Sequence, residues 1–555
     1  MSRTDTAAGI ELFLQNGDVP YHHYEIDYFD EGQAHEFIDK KLDTLSPRSR
    51  PHRHWRQPFM QARATLFGFT YRALGLHDDR PWDRPTVRSF LGYAPVLEAM
   101  SSFLHHHSNY MALKEDIEQI FAGRGVTFPE PQRILIVIAE DLLHREKEKF
   151  RQNLPVNLQQ AANTIGWNEF DRLYEVDEQK KRLLQRNFPG LEDAPIGLSL
   201  PPQIQSAYEE SLDMWFMEHP FVGQVDGFAN VVFRDYLLAW QIALQEETLL
   251  HYAIREFLMQ PNQLPPPLFG IFLLAMSTKD DTAVLHGEDV GTLYESLIAA
   301  SGTPENCYLD VFGDGTSGDI RGVLQAPGIG EAQFSVLQGE KTLQFGRRIM
   351  NSVVSNVPEV HLGQGSGVVR IGPDVDIECD TLRIGAAEMS VEAGKNGNVI
   401  VTANAYIELG GSTPRLKVYA DNGSLVGFSW PNMRYPWVGY QVPQGEVETL
   451  DRRVGEAFRA FCQIFKWFRR YGYDRLARSV RLLENPAIAG TGLANDILRF
   501  LISEGIIERQ GSLYSVESKT LGRLRINWTD IKARRISNEV TNLLERFYSQ
   551  KDASP

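Results

Sequence analysis

Cysteine is scarce: Cys307, Cys379 and Cys462 are the three thiols in 555 residues. Three scattered cysteines support neither a disulfide framework nor a Cys-ligated zinc, so the expected compartment is a reducing cytoplasm. Long apolar runs are missing too. The longest, Pro267–Met276, is about half of the roughly 18–20 residues a membrane-crossing helix needs, so no membrane partner is expected. The opening MSRTDTAAGIELFLQ lacks the basic start and apolar stretch of a secretory signal. No G-x-x-x-x-G-K-[ST] phosphate loop and no H-E-x-x-H zinc motif occur. Gly339-Glu340-Lys341-Thr342 and Gly394-Lys395-Asn396 place glycine near lysine, but without a nest of backbone N–H groups to cradle a triphosphate. His22-His23, His52 and His54 define no ligand geometry. His105-His106-His107 are adjacent and would point about 100° apart on a helix, so they cannot share one ion. No cofactor and no metal are expected.

Hydrophobic residues make up 43% and charged residues 23%, an ordinary globular composition for a chain long enough for several domains. The net charge of −16 argues against a protein coated in nucleic acid. It is uneven: residues 451–555 carry 19 Lys+Arg against 12 Asp+Glu, which leaves −23 on the preceding 450. A basic end on an acidic body points to a polyanion contact there.

The middle of the chain sets its plan. Val368–Ile371, Val375–Cys379, Thr381–Ile384, Met389–Val391, Val399–Thr402, Tyr406–Leu409 and Leu416–Tyr419 are short β-type runs, most of them separated by Gly, Asn, Asp or Pro. Val375-Asp376-Ile377-Glu378-Cys379 alternates apolar and polar, so one face is buried. Leu268–Met276, Cys307–Phe312, Gly318–Val323, Gln333–Leu337 and Lys341–Phe345 add candidate strands. Asp314-Gly315 and Asn422-Gly423 read as hairpin turns. The runs are short for a sandwich, which favours a solenoid-like stack. The expected fold is multidomain α+β: a helical N-terminal arm, a central all-β module (β-solenoid or sandwich) and a helical C-terminal module. The expected boundaries are 1–80, 81–264, 265–445 and 446–555.

The N-terminal segment opens on the strand-like runs Ile10–Leu14 and Tyr24–Tyr28, then a helix. Asp30 is placed to cap that helix and Gln33 to complete a capping box. In the arm, Ile134–Phe150 reads as a helix. A metal-binding reading of Ile134–Ile138 with Glu140-Asp141 fails on the helical continuation and the missing phosphate loop. Leu173–Leu184 and Gln203–Met217 read as further helices. Phe228-Ala229-Asn230-Val231-Val232-Phe233-Arg234-Asp235-Tyr236-Leu237-Leu238-Ala239 places Phe228, Val232, Tyr236 and Ala239 on one helical face, with Arg234 and Asp235 near its edge.

Ser2-Arg3 with the YEIDYFDEGQAHEFI stretch, FLGYAPVLEA at residues 90–99, and Phe228, Asn230, Phe233, Arg234, Asp235 and Tyr236 together resemble the rear part of a signal-transduction (STAND) or AAA-like P-loop NTPase. The resemblance implies that Ser2 and Arg3 are the remnant of a nucleotide sensor, that FLGYAPVLEA belongs to a lid, and that the 228–239 helix closes a helical domain. With the nucleotide-binding front missing, it further implies a truncated product or one half of a split system, with a P-loop NTPase subunit as protein partner. Assemblies of this kind suggest bacterial defence against phage.

At the C-terminal end, Leu450–Tyr471 reads as a helix with the basic end Lys466-Trp467-Phe468-Arg469-Arg470. Leu493–Ser503 is an apolar-faced helix ended by Glu504-Gly505. Ile506–Arg509, Gln510-Gly511 and Ser512–Val516 form a hairpin, and Val540–Tyr548 a last helix. Helix, hairpin and closing helix resemble a winged-helix domain. Arg499, Arg509, Arg523, Arg525, Lys532, Arg534 and Arg535 are its candidate polyanion contacts. Only Arg499 lies on the helix before the wing, which favours protein contact over DNA reading.

The reading is a non-catalytic regulatory or scaffold component acting through protein contacts. One alternative is a DNA-binding regulator working through residues 446–555. The other is a carbohydrate-active β-helix enzyme using Asp374, Asp376, Glu378 and Asp380, whose alternation also suits plain solvent exposure. The aromatic run FSWPNMRYPWVGYQVP, residues 428–443, reads as a wedge between modules or a contact patch.

Overall fold

Alternation in the middle of the chain becomes a stack of parallel strands. A computed structural model describes residues 28–44, 56–74, 81–105, 131–188, 202–225, 227–246, 248–260, 265–314, 317–363, 367–394, 397–409, 411, 413–421, 424–442, 451–471, 475–479, 483, 492–511, 513–527, 530–531 and 534–553. Ser2, Arg3, Lys532, the run Ile10–Leu14, most of Tyr24–Tyr28, the paired histidines near 22 and 52, His106-His107, Lys395-Asn396 and Asn422-Gly423 lie outside these residues.

The strands are β1 (Val222–Val225), β2 (Thr278–Lys279), β3 (Thr282–Leu285), β4 (Tyr308–Gly313), β5 (Ile320–Ala326), β6 (Gly330–Val336), β7 (Thr342–Phe345), β8 (Arg348–Ile349), β9 (Ser352–Leu362), β10 (Val368–Ile371), β11 (Val375–Ile384), β12 (Glu388–Gly394), β13 (Asn398–Glu408), β14 (Arg415–Ala420) and β15 (Leu425–Ser429). One sheet has the order β14-β12-β10-β8; a larger one runs β15-β13-β11-β9-β4-β5-β6-β3-β2. From β8 onward the chain alternates between the two sheets, so each coil contributes one strand to each. β11 and β13 pair in parallel with a constant offset, Val375 opposite Val399 and Ile384 opposite Glu408. Val375, Ile377 and Cys379 point inward, and the buried phase then slips by one residue to Leu382 and Ile384. The two runs expected there, Val375–Cys379 and Thr381–Ile384, are thus one strand with a phase change at Asp380. Its neighbour β9 shows why this matters: its first half pairs with β4 and its last residues with β7.

Corners between the sheets use residues that tolerate left-handed backbone. Asn351 (φ 44°) and Asp374 (φ 53°) occupy equivalent corners, and Asp374 Oδ1 accepts the Asn398 N–H at 3.1 Å. Gly372 has φ 111°, and a Cβ there would come 2.2 Å from the Glu392 carbonyl oxygen. The hairpin expected at Asp314 joins β4 to β5 antiparallel. β14 pairs with β12 and β15 with β13, so these two consecutive strands lie in different sheets.

The central region is not all β. Helix α12 (Phe269–Ser277) replaces the strand expected at Leu268–Met276, and α13 (Asp289–Ser301) packs behind β7. A continuous apolar run carries no period that separates strand from buried helix, and Phe269 to Leu274 are all buried.

The arm contains α1 (Glu31–Thr44), α2 (Arg56–Ala73), α3 (Pro85–Leu91), α4 (Ala94–His105), α5 (Pro131–Gln152), α6 (Val156–Ile165), α7 (Trp167–Asp171), α8 (Val176–Asn187), α9 (Pro202–Glu218), α10 (Val231–Ala243) and α11 (Leu249–Leu258). The capping box forms as read: Gln33 N–H donates to Asp30 Oδ1 at 2.8 Å and Asp30 N–H to Gln33 Oε1 at 3.0 Å. One apolar core runs from Ala34 through the arm and solenoid to Trp437.

The C-terminal module has α14 (Arg452–Phe465), β16 (Arg469–Tyr471), β17 (Arg475–Ser479), α15 (Gly492–Ser503), β18 (Glu508–Gln510), β19 (Leu513–Glu517), α16 (Ser518–Arg523) and α17 (Asn538–Ala553). Its antiparallel sheet has the order β16-β17-β19-β18, and β18–β19 is the expected hairpin. The first helix stops earlier than expected. Trp467 and Phe468 are buried in the module core, and Arg469 and Arg470 leave the helix for β16. That core also takes in Phe312, Val323 and Val353 of β4, β5 and β9, so the module packs on the solenoid sheet.

Candidate functional site

The 228–236 motif is a packing hub. Phe228, Asn230, Phe233, Asp235 and Tyr236 are all buried, and from Val232 to Ile242 every residue of α10 except the half-buried Arg234 is enclosed. Asn230 caps the helix by accepting the Val232 N–H at 2.8 Å, and its amide donates to Ser89 Oγ. Phe233 stacks on Phe221 at 4.1 Å and meets Phe90. Asp235 was expected near the edge of the helix. It is fully buried instead, and accepts the Leu268 N–H at 3.0 Å and Arg234 Nε at 2.9 Å. Burial raises its pKa to about 6, with Arg234 and the Leu268 N–H pulling the other way. Tyr236 donates to Glu140, which also pairs with the buried Lys180 at 2.7 Å. Burial and that carboxylate push the phenol well above its usual value. Gly92 closes the group: its carbonyl accepts the Phe29 N–H, and a Cβ there would lie 2.4 Å from Phe29 O. Residues 28–34, 89–95 and 220–236 therefore meet in space.

The candidate polyanion contacts do not form one uncommitted patch. Arg525 pairs with Glu539 at 3.0 Å, Arg535 with Asp530 at 3.5 Å, and Arg534 with Glu378 of the solenoid at 3.2 Å. Arg509 lies over the Tyr514 ring. Arg499 and Arg523 are exposed on α15 and α16.

The carboxylates of residues 374–380 do not converge on a cleft. Asp374 holds a corner, and Asp380 accepts from Asn404 Nδ2 at 2.9 Å. Glu378 receives Lys466 and Arg534 from the C-terminal module. Burial alone would raise its pKa, but the two cations outweigh it and hold the carboxyl below its ordinary value. The aromatic run closes the last coil rather than wedging modules apart. Trp430 stacks on Tyr406 at 4.7 Å, Trp437 is buried beside Phe428, and Val442 N–H covers Phe428 O at 3.0 Å.

The outer face of β10, β12 and β14 holds a shallow groove of about 870 Å³, lined among others by Arg370, Glu388, Ser390, Glu392, Lys417 and Tyr419. Outward-facing charges alternate in sign across the strands: Arg370 on β10, Glu388 and Glu392 on β12, Arg415 and Lys417 on β14. Lys417 Nζ lies 2.8 Å from Glu388, which raises the lysine pKa. Tyr419 is 59% exposed at the rim. The alternating runs VVRI and RLKVY carried a signal for this face, but its neighbours are 20 or more residues apart in sequence. Only the every-second-strand pairing brings them together.

Among the described residues no group of His, Cys, Asp and Glu could hold a metal ion, and no helix is long and apolar enough to cross a membrane. Comparisons with protein-family models, curated proteins and solved structures give no match.

Proposed function

We propose that this chain is a cytoplasmic recognition scaffold that works through protein contacts, with the β10-β12-β14 face as its working surface. One observation carries the reading. The solenoid sheet around β4, β5 and β9 is covered by the C-terminal module and the last coil is closed by aromatics, while the charged face with its groove faces solvent. An exposed face bearing matched charges suits selective docking of a protein surface.

The relation to the rear part of a STAND-type NTPase, with a separate P-loop subunit as partner and a role in phage defence, is part of the same proposal. Its support is that the described parts of those segments, residues 28–34, 90–95 and 228–236, pack around Gly92 and Phe233. The C-terminal module is read as a winged helix used for protein contact. The helix–hairpin order supports this, and the carboxylate partners of Arg525, Arg534 and Arg535 weigh against a DNA surface.

A photo-crosslinking residue at Val368, on the exposed face, tests the scaffold reading in cells, with the same probe at Met214 of the arm as control. Capture of a specific protein at Val368 alone is the expected result. Equal capture at both sites, or none at Val368, would overturn it, as would ATP turnover by the purified chain.

A further inference from the structure

The charged face ends on β14, and its outer edge has no strand beside it among the described residues. Arg415 N–H donates inward to Ala387 O at 3.0 Å. Backbone groups alternate sides along a strand, so those of Leu416, Val418 and Ala420 point away from β12. Arg415, Lys417 and Tyr419 are exposed, while Leu416 and Val418 are half-buried and cover the core from one side only. An edge of this kind is a template for a further strand.

The chemistry selects what that strand is. Sign alternates from β10 to β12 to β14, basic, acidic, basic, and Lys417–Glu388 shows the cross-strand pairing at work. The next strand in this order is acidic. Its other side must be apolar to finish burying Leu416 and Val418. A second copy of the chain fails the first condition, because two β14 edges would bring Arg415 and Lys417 against their own kind.

We infer that β14 accepts, by strand addition, an extended segment of a partner protein in which carboxylates alternate with aliphatic residues. This rests on the scaffold reading above and names the partner's chemistry. The carboxylates lie beside Arg415 and Lys417, the aliphatic side chains extend the solenoid core, and the backbone bonds Leu416 and Val418.

The test measures fluorescence anisotropy of short labelled peptides with the full chain. The probes are alternating glutamate and valine, alternating lysine and valine, and the glutamate–valine peptide with N-methylated backbone. Two variants accompany them. Leu416→Pro removes an outward N–H while leaving the β12 pairing, a substitution edge strands tolerate. Arg415→Glu reverses one charge without altering the backbone. The glutamate–valine peptide binds, the other two do not, and each variant weakens binding on the order of tenfold or more. No binding of the glutamate–valine peptide, or binding that survives both variants, overturns the inference. So does binding lost in Arg415→Glu but kept by Leu416→Pro and by the N-methylated probe, which is ionic adhesion alone. A dimer abolished by Leu416→Pro makes the occupant a second copy and also overturns it. In each failing case, specific capture at Val368 still tells whether the scaffold reading stands.

Discussion

Lys466 Nζ lies 3.2 Å from Glu378 Oε2 and bridges the C-terminal module to the solenoid. The ammonium is nearly enclosed, also donates to Ser355 Oγ, and shares its carboxylate with Arg534. Glu378→Ala leaves that cation without its counter-charge, so the variant is expected to lose about 1–3 kcal/mol of stability. Urea denaturation measures the loss, and limited proteolysis should release the C-terminal module faster than from the wild type.

Asp235 supplies the buried acceptor for the Leu268 N–H. Asp235→Ala orphans that donor at a cost of about 1–3 kcal/mol. The wild-type group has a second consequence. Its pKa is raised from 3.8 to about 6, so the folded state holds a proton the unfolded chain has released. Stability from this group therefore falls as pH rises through that window. Thermal melts from pH 4 to pH 6.5 should show a shallower fall in Asp235→Asn than in wild type.

His286 Nδ1 and Glu340 Oε1 are 2.6 Å apart, with Asp289, Arg255 and the His251 ring close by. The Glu340 bond, then Asp289, raise the histidine pKa against burial. For Glu340, burial is outweighed by His286 and the Gly287 N–H, and its pKa falls. A raised histidine stabilises fully below about pH 6.5 and loses that contribution as pH climbs through the folded value. The melting temperature is expected to decline as pH rises above about 6.5, and Glu340→Gln should flatten the decline.

Gly372→Ala tests the solenoid corner. The substitution meets both a φ of 111° and a 2.2 Å approach to backbone oxygen. A loss of about 2–4 kcal/mol is expected by thermal denaturation.

Local order was legible in the sequence and pairing was not. The Asp30–Gln33 box and the limits of β10 follow from residues within one turn or one strand of each other. Leu268–Met276 was misread because unbroken apolarity fits a buried helix as well as a strand. Residues 466–470 were misread because Trp467 and Phe468 answer to a core built by distant helices. The alternation of carboxylates at 374–380 suits an enzyme site or plain solvent exposure equally. Three of them answer instead to Asn398, to Asn404, and to Lys466 with Arg534, partners 20 or more residues away in sequence.

The parallel register of β11 and β13 constrains how such a chain can change in length. Val375 faces Val399 and Ile384 faces Glu408 with no drift between, so these two strands stay in step along their whole paired length. Removing or duplicating a whole turn of the winding would present the next strand with a familiar neighbour. A shift of one residue would turn every inward valine toward water. Growth or shrinkage of this protein should therefore come in steps of one full winding, with odd lengths absorbed at the bends.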